Sequence, residues 1–342
     1  MTKNIKNTIT VLCIALSCNH IDTFAQEYSK YLQAVDEYQP APGQFVNELP
    51  EYELGDDAAS MAAKCTESLT TGGMVSLGGF GGYITFHFDH SISNVPGKRD
   101  LYISGNGYNG NSEPGIVMVM RDDNANGLPD DTWYELAGSA DTDSIGKVIY
   151  NYSITYTPNP MGNIPWTDNQ GNSGEMKRIG YHQQEYFPAW IDTNLTFTGT
   201  RLPNNATNKG TDTQPYYFLT SLRYGYVDNA SRTDTTACSF DISWAVDAER
   251  SPVTLDRIDF VRVYCAVNQQ CGWIGETSTE ITGAEDLHLT ESLQSTAISS
   301  PIDDNADHND IYSLSGHRRP AIVRGLNIIR NGRGEVRKVV VR

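Results

Sequence analysis

Oxygen-bearing side chains alternate along one short stretch, RDDNANGLPDDTWYEL, which runs from Arg121 to Leu136. A chain that wraps a hard cation must present oxygens at alternate positions and then turn sharply, and in calcium loops a glycine follows the third such position. The stretch therefore predicts a structural calcium loop. Its expected ligands are the side chains of Asp122, Asn124, Asn126 and Asp130 and the backbone carbonyl of Leu128.

This loop departs from a complete calcium hand at its twelfth position, where Trp133 replaces the usual bidentate glutamate. A further carboxylate must then complete the shell, and the candidates are Asp131, Glu135 and Glu113. A solvated turn without metal is the alternative, because Asn, Asp and Gly favour turns by themselves.

The strongest candidates for a binding site are aromatic residues that lie beside segments rich in Asn, Asp and Gln. Aromatic faces stack on the apolar faces of sugars or flat macrocycles, while amides and carboxylates fix the ligand's orientation. The first expected ligand loop contains Trp166, Asp168, Asn169 and Gln170, and a second set consists of Arg178, Tyr181, Trp273 and Glu276. About half of the aromatic rings should instead fill the core, Trp133 and Trp244 first among them.

A catalytic interpretation depends on Asp241 and Asp247 in FDISWAVD, since a glycosidase needs two carboxylates across a sugar. Neighbouring Asp pairs are common in so acidic a chain. The glycine-rich VSLGGFGG matches neither a nucleophile elbow nor a nucleotide loop. The sequence therefore favours binding without catalysis. A carbohydrate-active enzyme and a structural or adhesion module that makes protein contacts stay as alternatives.

Period-2 alternation dominates the segments that must position these residues. In YITFHFD, Ile84, Phe86 and Phe88 fall on one face of a strand. GIVMVM and WYEL flank the acidic loop as two further strands, and only the region from Asp57 to Lys64 suggests a helix. The predicted fold is all-β, a jelly-roll-type β-sandwich with long loops and a small C-terminal β tail.

The N-terminus has the pattern of a secretory signal peptide over residues 1–25. Two lysines precede the apolar run ITVLCIALS, and Thr23-Phe24-Ala25 resembles a cleavage site. The run is too short to span a membrane. We expect an exported protein, at the cell surface or extracellular. The alternative is an outer-membrane lipoprotein anchored through Cys18.

Composition divides the rest of the chain into an irregular leader (26–63), a β-sandwich binding domain (64–287), a polar linker (288–310) and a basic tail (311–342). The tail has seven Arg and one Lys against one Glu, although the whole chain has a net charge of −17. This excess of negative charge argues against nucleic acid or an anionic membrane as a partner, because both would repel the protein.

Four cysteines follow the predicted signal peptide, and an exported protein meets oxidising conditions that favour disulfides. They are Cys65, Cys238, Cys265 and Cys271. The chain can form one or two disulfides, and Cys265 and Cys271 flank a turn-like VNQQ that would allow a local bridge. Free buried thiols are the alternative, and spacing alone does not choose a pairing.

Several motifs together resemble a family of Bacteroidetes cell-surface proteins with a sandwich domain, and they are similar to galactose-binding-like jelly rolls. They are LGGFGGYITFHFDH, SEPGIVMVMRDDNANGLPDDTWYELAGS, FDISWAVDAERSPVTLDRIDFVRVY and VNQQCGWIGETSTEITGAEDL. The resemblance covers about Val75 to Leu287. It implies a surface binding protein that accompanies an outer-membrane uptake system for a glycan or for a cofactor such as cobalamin.

The tail also carries a resemblance. YSLSG, RGLNII and KVVVR, within residues 311–342, are similar to the C-terminal sorting tail of proteins exported by the type IX secretion system. The tail is shorter than the usual sorting domain. The resemblance implies that the tail is an export address and takes no part in ligand binding.

Overall fold

A computed structural model describes residues 27–296 and, nearer the C-terminus, 310–313, 318–319, 322–323, 325–330 and 336–341. The predicted signal peptide, Cys18 and most of the predicted linker lie outside these residues.

Strands account for most of the regular structure in the described part of the chain. The first eleven strands are β1 (Ala34–Gln39), β2 (Val75–Ser76), β3 (Tyr83–Ser93), β4 (Leu101–Ser104), β5 (Gly115–Met120), β6 (Trp133–Leu136), β7 (Ile149–Tyr156), β8 (Ile164–Asp168), β9 (Ser173–Met176), β10 (Leu195–Arg201) and β11 (Ala206–Asn208). The remaining strands are β12 (Tyr217–Leu219), β13 (Ser239–Phe240), β14 (Ala245–Val246), β15 (Arg257–Cys265), β16 (Glu280–Ile281), β17 (Gly283–Asp286), β18 (Asp310–Tyr312), β19 (Arg318–Arg319), β20 (Gly325–Arg330) and β21 (Val336–Val341). The helices are α1 (Ala58–Thr70), α2 (Leu289–Thr296) and a short 3-10 helix at Ile242–Trp244.

The largest sheet has six strands in the order β1-β3-β15-β5-β6-β14. Its pairs are antiparallel, and the register stacks apolar residues across it. Val261 of β15 lies between Phe86 and Val119, while Val263 lies between Ile84 and Val117. All of these side chains are buried. Each contributes about 1.5–3 kcal/mol to the free energy of unfolding through burial of its apolar surface.

A second sheet, in the order β10-β7-β8-β9, has a separate aromatic core. Tyr152, Tyr156 and Phe80 are fully buried there. Shorter sheets, β13-β4-β17 and β16-β2, connect loops at the pocket described below. The prediction of a mostly-β chain is confirmed. The jelly-roll sandwich stays a prediction.

The segment predicted as an irregular leader contains regular structure. Strand β1 pairs with β3 as an edge of the largest sheet. Asp57 caps α1, since its carboxylate accepts from the Ser60 backbone N–H at 2.9 Å. The buried residues Met61 and Cys65 face the core from this helix. The expected boundary at residue 63 therefore falls inside α1.

Two segments that alternate in the sequence are only partly extended. In YYFLTSLRYGYV, strand β12 covers three residues. In CSFDISWAV, the 3-10 helix separates β13 from β14. Trp244 therefore lies in that helix, and both Trp244 and Trp133 are half-buried rather than fully enclosed in the core.

These four cysteines are free and buried, which agrees with the alternative of free buried thiols, and no disulfide joins them. In the tail, β20 and β21 pair in antiparallel register, and the sheet order is β19-β18-β20-β21. Within the described residues, no helix has both the length and the apolar character needed to cross a membrane.

Candidate functional site

A pocket of about 850 Å³ lies where loops from distant parts of the chain meet. Its walls combine apolar side chains with amides, hydroxyls and carboxylates. The lining residues are Gln44, Phe45, Leu49, Met74, Asn106, Asn111, Glu113, Tyr181, His182, Trp273, Ile274, Ser278 and Glu280. Ligand pockets commonly measure roughly 300–1,000 Å³ and have this mixture of apolar walls and a few polar groups.

Three buried carboxylates form an acidic triad at this pocket: Glu113, Asp228 and Glu280. One oxygen from each lies within 4.8 Å of the others. Glu113 and Glu280 line the pocket. Carboxylate oxygens are preferred ligands of hard divalent cations, so this triad could hold a metal ion.

Backbone contacts bring the triad together. The Glu113 N–H donates to the Asp228 carbonyl at 3.0 Å, just before Glu113 leads into β5. The Glu280 N–H, in β16, donates to the Asp228 carboxylate at 2.9 Å. Asp228 has a φ of 57°, a left-handed conformation that Asp adopts more readily than most residues. Asp228 therefore connects the two residues that line the pocket.

Hydrogen bonds restrain the three carboxylates unequally. Glu280 accepts from the hydroxyls of Ser278 at 2.6 Å and Ser76 at 3.0 Å. Asp228 also accepts from the Gly107 N–H at 2.6 Å. Glu113 has one long bond, from the Asn111 amide at 3.3 Å. Glu113 is therefore the carboxylate with most capacity left for a ligand or cation.

Burial dominates the electrostatics of the triad. It raises the pKa of Glu280 to about 7. It raises the pKa values of Glu113 and Asp228 well above their ordinary range, and the charge of neighbouring Glu280 raises both further. Desolvation and like charges both disfavour the ionised form. A bound cation would oppose both effects, because it stabilises the ionised carboxylates.

A fourth buried acid, Glu276, lies beside the pocket wall. One of its oxygens accepts from the Gln44 N–H at 2.5 Å, and the other has no hydrogen-bond partner among the described residues. Burial raises the pKa of Glu276 to about 8. The side-chain oxygen of Gln44 likewise has no partner. Buried polar atoms usually have partners, so this wall has hydrogen-bonding capacity left.

Two aromatic rings predicted to bind ligand lie together at the pocket. Tyr181 is 82% exposed and Trp273 is 55% exposed. His182 packs edge-on against Phe45, with 4.7 Å between the ring centroids. Large rings with open faces beside a polar floor are suited to a ligand that has both apolar faces and hydroxyl groups.

The other predicted ligand residues lie outside the pocket lining. Arg178 donates to the backbone carbonyl of Met161. Trp166 packs against the aromatic core of the second sheet. Asp168 accepts from the backbone N–H groups of Gln170 and Asn172 at 3.0 and 2.7 Å.

Asn169 also forms hydrogen bonds to the backbone in this region. Its side chain bridges the backbone of Asn151 and Ser153. Gln170 donates from its own side chain to Asn169 at 3.1 Å. The polar residues of the first expected ligand loop therefore build the β8-β9 turn.

The acidic loop connects β5 and β6 of the largest sheet, and none of its residues lines the pocket. Asp122 accepts from the backbone N–H groups of Asn126 and Gly127 at 3.2 and 2.8 Å. The side-chain amides of Asn124 and Asn126 contact Asp130. These bonds order the loop, and calcium binding by it stays a prediction.

The catalytic pair suggested by the sequence also stabilises turns. Asp241 caps the 3-10 helix through the Ser243 N–H at 2.8 Å. Asp247 accepts from the backbone N–H groups of Glu249 and Ser251. Both carboxylates are thus committed to local backbone, and neither lines the pocket.

The sequence prediction missed most of the acidic triad. The sequence indicates Glu113 only as an additional ligand of the acidic loop, and it gives no reason to select Asp228 or Glu280. No local spacing marks them, because the contact between Asp228 and Glu280 joins residues 52 apart in the chain. The only sequence signal is that SEPG precedes a strand, which places Glu113 at a strand entrance.

No protein-family model matches the chain, and no curated protein matches it.

Proposed function

We propose that the protein is an exported, non-catalytic binding protein that holds a glycan in the pocket bordered by Tyr181 and Trp273. The observation that carries this proposal is the pairing of these exposed rings with the acidic triad in a pocket of about 850 Å³. The N-terminal sequence pattern supports export.

The chemistry of a sugar fits both parts of this pocket. The C–H face of a pyranose ring stacks on Tyr181 or Trp273. Its hydroxyls donate to carboxylate oxygens such as those of Glu113, and they accept from amides such as that of Asn111. A few well-placed polar groups within an apolar pocket determine which ligand is selected.

We propose calcium as the cation of the acidic triad. Calcium accepts six to eight oxygen ligands in flexible geometry, so sugar hydroxyls can complete a shell begun by three carboxylates. The acidic loop of Asp122 to Asp130 is a second proposed calcium site, with a structural role. Its support is the alternation of oxygen-bearing residues in the sequence.

The proposal is tested by thermal unfolding against a panel of glycans and cobalamins, with calcium and with chelator. A ligand that binds only the folded state raises the unfolding midpoint. We expect a glycan to do so, and we expect Tyr181→Ala and Trp273→Ala to abolish the rise. Tyr216→Ala is the matched control, since Tyr216 is 60% exposed and does not line the pocket.

Other outcomes of the same panel would change the proposal. Stabilisation by a cobalamin alone would replace the glycan as ligand. A flat response to every member would contradict binding of either class and would favour the protein-contact module.

One observation favours a second candidate, a glycan-cleaving enzyme. Glu113 and Glu280 both line the pocket, and burial raises both pKa values, as the acid of a glycosidase requires. Release of shortened sugars from a stabilising glycan, lost in Glu280→Gln, would establish this enzyme in place of a pure binding protein.

A further inference from the structure

A middle hollow adjoins the pocket, and an outer hollow adjoins the middle one. The middle hollow, of about 450 Å³, has Met74 and Asn106 in common with the pocket. The outer hollow, of about 510 Å³, has Gly72 and Thr282 in common with the middle hollow. The shared walls place the pocket, the middle hollow and the outer hollow in series.

Each of the three spaces has an exposed aromatic ring. The pocket has Tyr181 and Trp273, and the middle hollow has Tyr108, which is 60% exposed. The outer hollow has Tyr31, which is 54% exposed. The Lys30 ammonium lies 4.8 Å from the centroid of the Tyr31 ring and helps to hold it in place. Aromatic surface therefore recurs along the series.

The middle hollow is built directly on the acidic triad. A Cβ at Gly105 or Gly107 would come within 2.3 or 2.6 Å of Asp228 atoms, so glycine is required at both positions. The Gly107 N–H also fixes the Asp228 carboxylate. The glycine backbone of Gly105 and Gly107 thus forms part of this hollow. Asp228 contacts this backbone and also belongs to the acidic triad at the pocket.

Polar groups accompany the rings in the two added hollows. The backbone carbonyl of Arg232, in the middle hollow, accepts from the Tyr102 hydroxyl at 2.8 Å, and Tyr102 lines the outer hollow. Ser104 and Thr282 exchange a hydrogen bond at 2.8 Å beside them. Separate rings interspersed with hydroxyls and amides suit a chain of sugars better than an acyl chain, which needs a continuous apolar surface.

We propose that the pocket, the middle hollow and the outer hollow form one groove that binds a linear glycan of several sugar units. This inference rests on the proposed glycan-binding function and specifies its ligand as a chain, not a single sugar. Tyr108 and Tyr31 stack on units that lie beyond the pocket.

Calorimetric titration of the full chain with length series of malto-, cello-, xylo- and chito-oligosaccharides, dimers through hexamers, tests the groove. Affinity for the series that binds should rise with length in the wild type. Tyr108→Ala and Tyr31→Ala should each lower affinity for the hexamer about threefold to tenfold, the loss expected for one stacked ring, and should leave dimer affinity unchanged. Tyr216→Ala, which removes an equally exposed ring outside the groove, should change neither.

Three results would contradict the proposed groove, and they differ in whether they also contradict the proposed glycan-binding function. Equal affinity for all lengths would overturn the groove but leave glycan binding in the pocket. Length dependence that survives in both tyrosine variants would show that the added sugars lie elsewhere. Failure of every series to bind, with extended peptides binding instead, would overturn the proposed function as well.

Discussion

Glu280 is held by the hydroxyls of two serines that come from different parts of the chain. Ser278 is its near neighbour in sequence, but Ser76 is 204 residues away. The sequence could show that Glu280 is acidic but not that it is buried, because burial depends on the β16-β2 pairing. The exposure of Tyr181 and Trp273, in contrast, could be predicted from the sequence, because both rings lie in loops whose neighbouring residues are polar.

Removal of one triad charge should separate cation binding from folding. Glu280→Gln keeps the side-chain size and relieves like-charge repulsion, so the midpoint of thermal unfolding in chelator should be unchanged or higher. The stabilisation by calcium should fall sharply, because the triad loses an anionic ligand. Differential scanning fluorimetry across a calcium titration measures both quantities.

The exposed residue Glu249 provides the control, since Glu249→Gln removes the same charge at a position that belongs neither to the triad nor to the pocket lining. It should leave the calcium response intact. A wild-type calcium response in Glu280→Gln would show that the triad does not hold the cation, and the acidic loop would then be the remaining proposed site.

His90 should make the stability of the protein depend on pH. Its side chain is 1% exposed, and its ring nitrogens lie 2.6 Å from Asp89 and 2.8 Å from Asp286. Burial lowers the pKa of His90, but hydrogen bonds to Asp286 and Asp89 outweigh it, so the pKa is raised. This stabilisation is complete below pH about 6.5 and is lost as pH rises through the raised pKa.

We expect His90→Gln to reduce the slope of unfolding free energy against pH above neutrality, by at most about 1.4 kcal/mol per pH unit. Urea denaturation at a series of pH values measures this slope. His87, whose pKa is raised by its hydrogen bond with Asp36, should account for part of the slope that remains in His90→Gln. An unchanged slope in His90→Gln would contradict the assignment.

Helix α1 shows how far periodicity predicts an element. The sequence indicated a helix only over Asp57 to Lys64, whereas α1 continues to Thr70. Its second half is rich in Thr and Ser, which are weak helix formers. Tertiary contacts compensate, since the Thr66 hydroxyl accepts from the Val35 N–H of β1 at 2.9 Å. That contact depends on the fold and was not accessible from local sequence.

The start of α1, in contrast, is encoded locally by Asp57. Asp57→Ala removes the N-cap acceptor and should lower the free energy of unfolding by about 1 kcal/mol, whereas Asp57→Ser, which can still cap, should cost only a fraction of that. Equilibrium urea unfolding measures both variants. Equal stability of Asp57→Ala and the wild type would show that the capping box of Asp57 and Ser60 does not stabilise the helix.

At the scale of the whole molecule, alternation predicted the strand content but not the strand order. The strand β15 lies between β3 and β5 although it follows both by a long stretch of chain. The loops that accompany these pairings bring Gln44, Glu113, Tyr181 and Trp273 to one pocket. Sequence could therefore predict the mostly-β fold and two of the exposed rings at the pocket. The acidic triad could be recognised only from the three-dimensional arrangement.

A crystal structure of the protein with the glycan that stabilises it most would test the proposed function directly. We predict electron density for a sugar stacked on Tyr181 or Trp273, with hydroxyls within hydrogen-bond distance of Glu113 or Glu280. Sugar density bound elsewhere on the molecule, with the pocket holding only solvent, would contradict the assignment of this pocket as the binding site.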